Sequence, residues 1–130
     1  MATASGSTTS VAKGVVRTVW TLTGTVTVGR PESPSRYPDK SFHVRGTFGG
    51  GTIAIEGSNL LVGATGLSAT GNWFTMNDSR GEGNALTFTA ADGRTALENP
   101  NVIRPRWSAA LASTVTPSVT VTMMAQSVKR

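Results

Sequence analysis

Between Val16 and Val28 the chain alternates. Val16, Trp20, Leu22, Val26 and Val28 share one parity, and Arg17, Thr21, Thr23, Thr25 and Thr27 take the other. A repeat of two over about thirteen residues predicts one long half-buried strand or a hairpin bent at Gly24. GRPESPSRYPD then breaks the pattern: Pro31, Pro34 and Pro38 remove backbone donors and fix φ, so this stretch reads as an exposed loop. Next, Phe42, Val44 and Phe48 alternate with His43, Arg45 and Thr47. Gly49, Gly50 and Gly51 turn the chain, and Ile53 and Ile55 resume the inward parity. That order predicts a β-hairpin with a glycine-rich connection.

Small residues fill 57–71, a predicted loop, before Trp73, Phe74 and Met76 supply the bulk of a further strand. NDSRGEGN reads as a turn, ALTFTA as a strand with Leu86 and Phe88 inward, and AADGRT as another turn. Two late strands follow over 102–110 and 115–125, the second with Val115, Val119, Val121, Met123 and Ala125 on one parity. Roughly seven or eight short strands separated by glycine, proline and aspartate turns predict an all-β protein, an antiparallel β-sandwich of jelly-roll-like form. No apolar stripe of helical period argues for a βαβ fold. Residues 1–13 are small and polar, too poor in apolar groups to offset the entropy of ordering. They read as a flexible N-terminal arm on a single domain spanning 14–130.

Composition narrows the chemistry. The 130 residues contain no cysteine, which excludes disulfides, thiolate metal sites and a cysteine nucleophile. Twelve lysines and arginines against seven carboxylates give a net charge of +5, but the basic residues are scattered. A nucleic-acid binder clusters them, so the excess reads more modestly as a basic surface suited to an acidic partner, another protein as readily as a nucleic acid. Neither a signal-peptide pattern nor a long apolar run is visible, which predicts a soluble chain made in the cytoplasm, with no membrane partner.

Specific motifs fall short of a site. GTFGGGTIAIEGSN places Gly46, Gly51 and Thr52 at the spacing of a phosphate loop. It lacks the lysine, however, and continues into a strand where a helix N-terminus should begin. His43, the only histidine, alternates with Phe42 and Val44 and so faces solvent or an interface, without a nucleophile elbow, a second imidazole or a thiolate elsewhere. The carboxylates fall mostly in turns. Asn77, Asp78, Glu82 and Asn84 offer oxygens for calcium but lack the fuller acidic loop pattern. Trp20, Trp73 and Trp107 read as core or interface residues before they read as a stacking platform. Arg104 and Arg106, flanking Pro105, suggest ion pairs with a neighbouring chain. These readings predict no catalytic group, cofactor or metal.

One resemblance joins these segments. The order YPDKSFHVRGTFGGGTIAIEGSN, NWFTMND, GNALTFTA, VIRPRW and TPSVTVTMMAQ resembles a group of small phage and prophage virion proteins that act as head decoration, or cement, proteins. It covers about residues 20–126, and GTFGG, IEGSN, GNALTFTA and IRP are its most specific parts. In the family pattern GSN runs directly into a DG-x-x-W segment, similar to discoidin-type sandwiches. Here LLVGATGLSATGN intervenes between Asn59 and Trp73.

The resemblance implies a non-enzymatic protein on the capsid exterior that bridges major capsid protein subunits, as a dimer or trimer, without nucleic acid. Its expected contacts are the arm, Arg30, Arg36 and Tyr37 in the proline loop, Leu60, Leu61, Val62 and Leu67 in the insertion, and Arg104 and Arg106. A head-tail connector, tail or fibre component and a carbohydrate-binding module are the alternative readings.

Overall fold

A computed structural model describes residues 3–33, 36–61, 63–68, 70–80, 84–108 and 118–127. Nine strands are formed among them: β1 (Ser7–Ala12), β2 (Val15–Thr23), β3 (Asp39–Thr47), β4 (Thr52–Ser58), β5 (Phe74–Thr75), β6 (Thr87–Phe88), β7 (Asp92–Thr95), β8 (Val102–Ser108) and β9 (Ser118–Gln126). Two short 3-10 turns, Thr65–Ser68 and Thr70–Asn72, are the only helical elements among the described residues.

The strands form two antiparallel sheets. The first has the order β1-β2-β9-β3-β7. Its centre is β9, paired along its whole length with β2, from Val15 opposite Gln126 to Thr23 opposite Ser118, and with β3, from Asp39 opposite Gln126 to Thr47 opposite Ser118. In the second sheet β4 is central. It pairs with β8 along one edge, and with β5 and β6 along the other.

Alternation then makes the core. From the first sheet Trp20, Leu22, Phe42, Val44, Val119, Val121 and Met123 face inward; from the second Ile53, Ile55, Phe88, Ile103 and Trp107 meet them in one cluster. Full burial of each such side chain is worth about 1.5–3 kcal/mol, so this β-sandwich is held chiefly by its period-two pattern. The Trp20 indole N–H keeps its hydrogen bond by donating to the Arg30 carbonyl at 2.9 Å.

Four expectations change. Residues 7–12 are not an unpaired arm: they form β1, which folds back on β2 with Thr9 opposite Arg17. Ala4 also exchanges backbone hydrogen bonds with Val28 and Arg30. All six β1 side chains are exposed, so this strand is held by backbone bonding, a term that hydrophobicity does not report.

The glycine run 49–51 does not close a hairpin either. β3 lies in the first sheet and β4 in the second, and the chain crosses between them with Gly49 and Gly50 at φ 58° and 78°. Positive φ there favours glycine for a sheet-to-sheet crossing as much as for a hairpin.

AADGRT, expected to be a turn, contains the edge strand β7, paired with β3 from Ser41 opposite Thr95 to Val44 opposite Asp92. Finally, the bend at Gly24 ends β2. Val28 then bridges Arg106 and Glu32 bridges Ile103, so the first part of the proline loop runs along the outer edge of β8.

Candidate functional site

The sandwich has two outer faces, and they differ. On the first sheet the outward parity carries Arg17, Val19 and Thr21 from β2, Ser41, His43 and Arg45 from β3, and Thr120, Thr122 and Met124 from β9. All are exposed or half-exposed. Antiparallel register sets them in rows: Arg17, Met124 and Ser41 in one, Val19, Thr122 and His43 in the next, and Thr21, Thr120 and Arg45 in a third. A shallow concavity of about 630 Å³ crosses the first two of these rows, with Arg80 and Arg94 at its rim. Among the outward residues of β2, β3 and β9 the only carboxylate is Asp39, at the far end, where it accepts from Gln126 Nε2 at 3.1 Å. The face is therefore basic, shallowly concave and rich in hydroxyls.

The outer face of the second sheet is occupied by its own chain. Glu56, on the outward parity of β4, accepts from Arg104 Nε at 2.9 Å and from Arg106 Nε at 3.1 Å. Trp73 lies over the Arg104 guanidinium, 4.0 Å from its ring centroid, and its indole N–H donates to the Leu67 carbonyl at 2.8 Å. The insertion thus folds down as a cover, and a buried charge pair with a stacked indole lies where an exposed basic strand was expected.

The predicted contact residues separate accordingly. Arg30, Leu67 and Arg104 come together around a cleft of about 430 Å³ between the insertion, Pro31 and Thr3. Leu67 is half-buried there, whereas Leu60 and Leu61 remain exposed. Val62 lies outside the described residues. Arg36 is exposed, and half-buried Tyr37 lines a separate small pocket with Glu32 and Thr18. Burial raises the Glu32 carboxyl above its usual range, opposed by the Arg30 charge. Arg104 is buried and Arg106 is partly exposed; each forms an ion pair with Glu56 of the same chain.

Other candidates resolve similarly. Trp20, Trp73 and Trp107 are at most 8% exposed, so none forms a stacking platform for a sugar. His43 is exposed, as its parity predicts. Among the oxygens weighed for calcium, Asp78 is held below the usual carboxylate range, first by the Arg80 backbone N–H and then by Arg94, whose Nε donates to it at 2.8 Å. Asn77 is taken up by both oxygens of Glu98, and Glu82 lies outside the described residues. No group of three potential metal-ligating His, Asp or Glu residues occurs among the described residues.

No family model, curated protein or solved structure matches the chain.

Sequence reasoning missed two polar centres. Glu56 sits in TIAIEGS two residues after the outward Ala54 and opposite Arg104 across the ladder, a pairing that needs the register of β4 with β8. Lys40 precedes Phe42 and Val44 on their own parity. That signal was present in DKSFHV, and it places a lysine inside the sandwich.

Proposed function

We propose that this protein is a structural component of a phage virion, which docks on the outside of the capsid and bridges major capsid protein subunits. The observation that carries this reading is the asymmetry of the two faces. One sheet is covered by the chain's own insertion and its charges are neutralised internally. The other presents Arg17, His43 and Arg45 among threonines on a broad surface whose only outward carboxylate on β2, β3 and β9 is peripheral. A broad basic surface is suited to steering onto, and then pairing with, an acidic protein shell.

The segments that carry the virion-protein resemblance support the same reading, because the fold gathers them. GTFGG leads into the crossing to β4, IEGSN ends β4, GNALTFTA contains β6 and IRP lies in β8. Apart from Gly46 and Thr47, which end β3, they belong to the covered sheet and its connections, which leaves the five-stranded face as the surface for contact. Dimer or trimer formation around a local symmetry axis of the shell belongs to the same proposal.

The test is co-sedimentation with shells assembled from the major capsid protein encoded in the same genome. Replacing Arg17 and Arg45 together by glutamate is expected to weaken binding about ten-fold or more while leaving the melting temperature unchanged, since both side chains are exposed. Equal binding by the double variant would remove the face from the account.

A further inference from the structure

Alternation along β3 turns Lys40 inward with Phe42 and Val44, and only 1% of its surface is exposed. An ammonium there has lost most of its hydration and has three donors to satisfy. Its described partners are two neutral oxygens, the Tyr37 carbonyl at 2.9 Å and Oδ1 of Asn99. The carboxylate that acts on it is Asp39, its chain neighbour, which takes the opposite parity and accepts from Gln126.

Burial outweighs that carboxylate and lowers the Lys40 pKa from 10.5 to about 8. At pH 7 about one such amine in ten is therefore neutral, against roughly one in three thousand for an ordinary lysine.

Asn99 supplies the other half of a reactive pair. It lies 59 residues further along the chain, just ahead of β8, and is exposed to solvent. The next residue is Pro100, whose backbone nitrogen has no hydrogen. The usual internal attack on an asparagine carboxamide, by the following backbone N–H, is thus blocked. The nucleophile at hand is the Lys40 amine.

We propose that Lys40 and Asn99 join in an isopeptide cross-link. The lone pair of Nζ attacks Cγ of Asn99, forming an Nζ–Cγ bond. The tetrahedral centre then collapses with cleavage of Cγ–Nδ2, and a proton from Nζ passes to the departing nitrogen, which leaves as ammonia into solvent. Nothing is oxidised or reduced, and no cofactor or second substrate enters. Holding amine and carboxamide together in one folded geometry supplies the driving advantage, since well-oriented intramolecular pairs reach effective concentrations of about 10⁵–10⁸ M.

The bond would tie β3 of one sheet to the segment that enters β8 of the other. In a chain without cysteine it is a covalent staple independent of redox conditions. This inference stands on the surroundings of Lys40 and does not depend on the capsid role.

Intact-mass measurement of the folded protein after incubation at pH 8 provides the test. Loss of ammonia lowers the mass by about 17 Da, and trypsin no longer cuts after Lys40, leaving a branched peptide joined at Lys40 and Asn99. Asn99→Ala alters an exposed side chain and retains the amine's bond to Tyr37; it is expected to fold and to keep its full sequence mass. Lys40→Met is expected to do the same wherever it folds. A wild-type protein at full sequence mass, with the free peptide ending at Lys40, would show only a hydrogen bond and overturn the proposal. Loss of about 17 Da from Asn99→Ala as well would overturn it equally, because the ammonia would then come from another residue.

Discussion

Glu56→Ala is expected to lower the stability of the sandwich by about 3–5 kcal/mol, a large part of the 5–15 kcal/mol typical of a domain this size. The reason is asymmetry. Glu56 and Arg104 are both buried, with side chains 6% and 10% exposed, and removing the carboxylate leaves the Arg104 guanidinium under Trp73 without its counter-charge. Arg106 loses the same partner, but its side chain is 38% exposed and water can replace the carboxylate. Chemical unfolding would show the loss as a lower midpoint. The double variant with Arg104→Ala is expected to recover part of it, because neither member of that buried pair is then left without its counter-charge. A single-variant cost below about 1 kcal/mol would mean that the pair is wetter than its burial indicates.

Gly46→Ala is expected to be at least as damaging, although it adds one methyl group. Gly46 has φ 138°, a conformation rarely open to a side chain, one pair from the end of the β3–β9 ladder, opposite Val119. A Cβ there would lie 2.2 Å from the Ser118 carbonyl oxygen and 2.9 Å from Val119 Cα, both backbone atoms that cannot rotate away. Backbone strain and steric overlap each cost about 1–3 kcal/mol, so the expected loss is about 3 kcal/mol or more, with the central strand pairing disturbed. Gly71→Ala is the control, since nothing lies within 4 Å of its added Cβ. Thermal melts of the two variants should therefore differ widely. Similar melting temperatures would contradict the described path of β3.

These two positions show what was legible in the sequence. The all-β class and most of the core followed from alternation, because Trp20, Leu22, Phe42, Val44, Ile53, Ile55 and Phe88 declare their side through period two alone. Which strand pairs with which is a non-local property. The step from Phe48 to Thr52 reads equally well as a hairpin or as a crossing between sheets, and only the distant β9 and β8, taking up β3 and β4, decide it.

The same limit applied to the polar residues. Arg104 and Arg106 suggested ion pairs with a neighbouring chain, but a carboxylate of their own chain, 48 and 50 residues away, takes up both. The insertion looked like an exposed apolar patch. Its Leu67 is instead tied by the carbonyl to Trp73, the residue that follows the insertion and lies over Arg104, while Leu60 and Leu61 keep the exposure expected of them. β1 was invisible because its side chains bury nothing.

The basic face emerged for the converse reason. Arg17, His43 and Arg45 are far apart in sequence or share a strand with core residues, so their scattered charge gave no cluster. Strand register brings them onto one surface with Thr120, Thr122 and Met124 between them.

The central claim is that this surface holds the protein on a repeating shell. It is tested most directly by counting the copies of the protein in a purified particle and locating them. A decoration role predicts on the order of hundreds of copies on the capsid exterior, with the five-stranded face toward the shell. About a dozen copies or fewer, confined to a connector or tail, would contradict it, as would copies on the shell with that face turned outward.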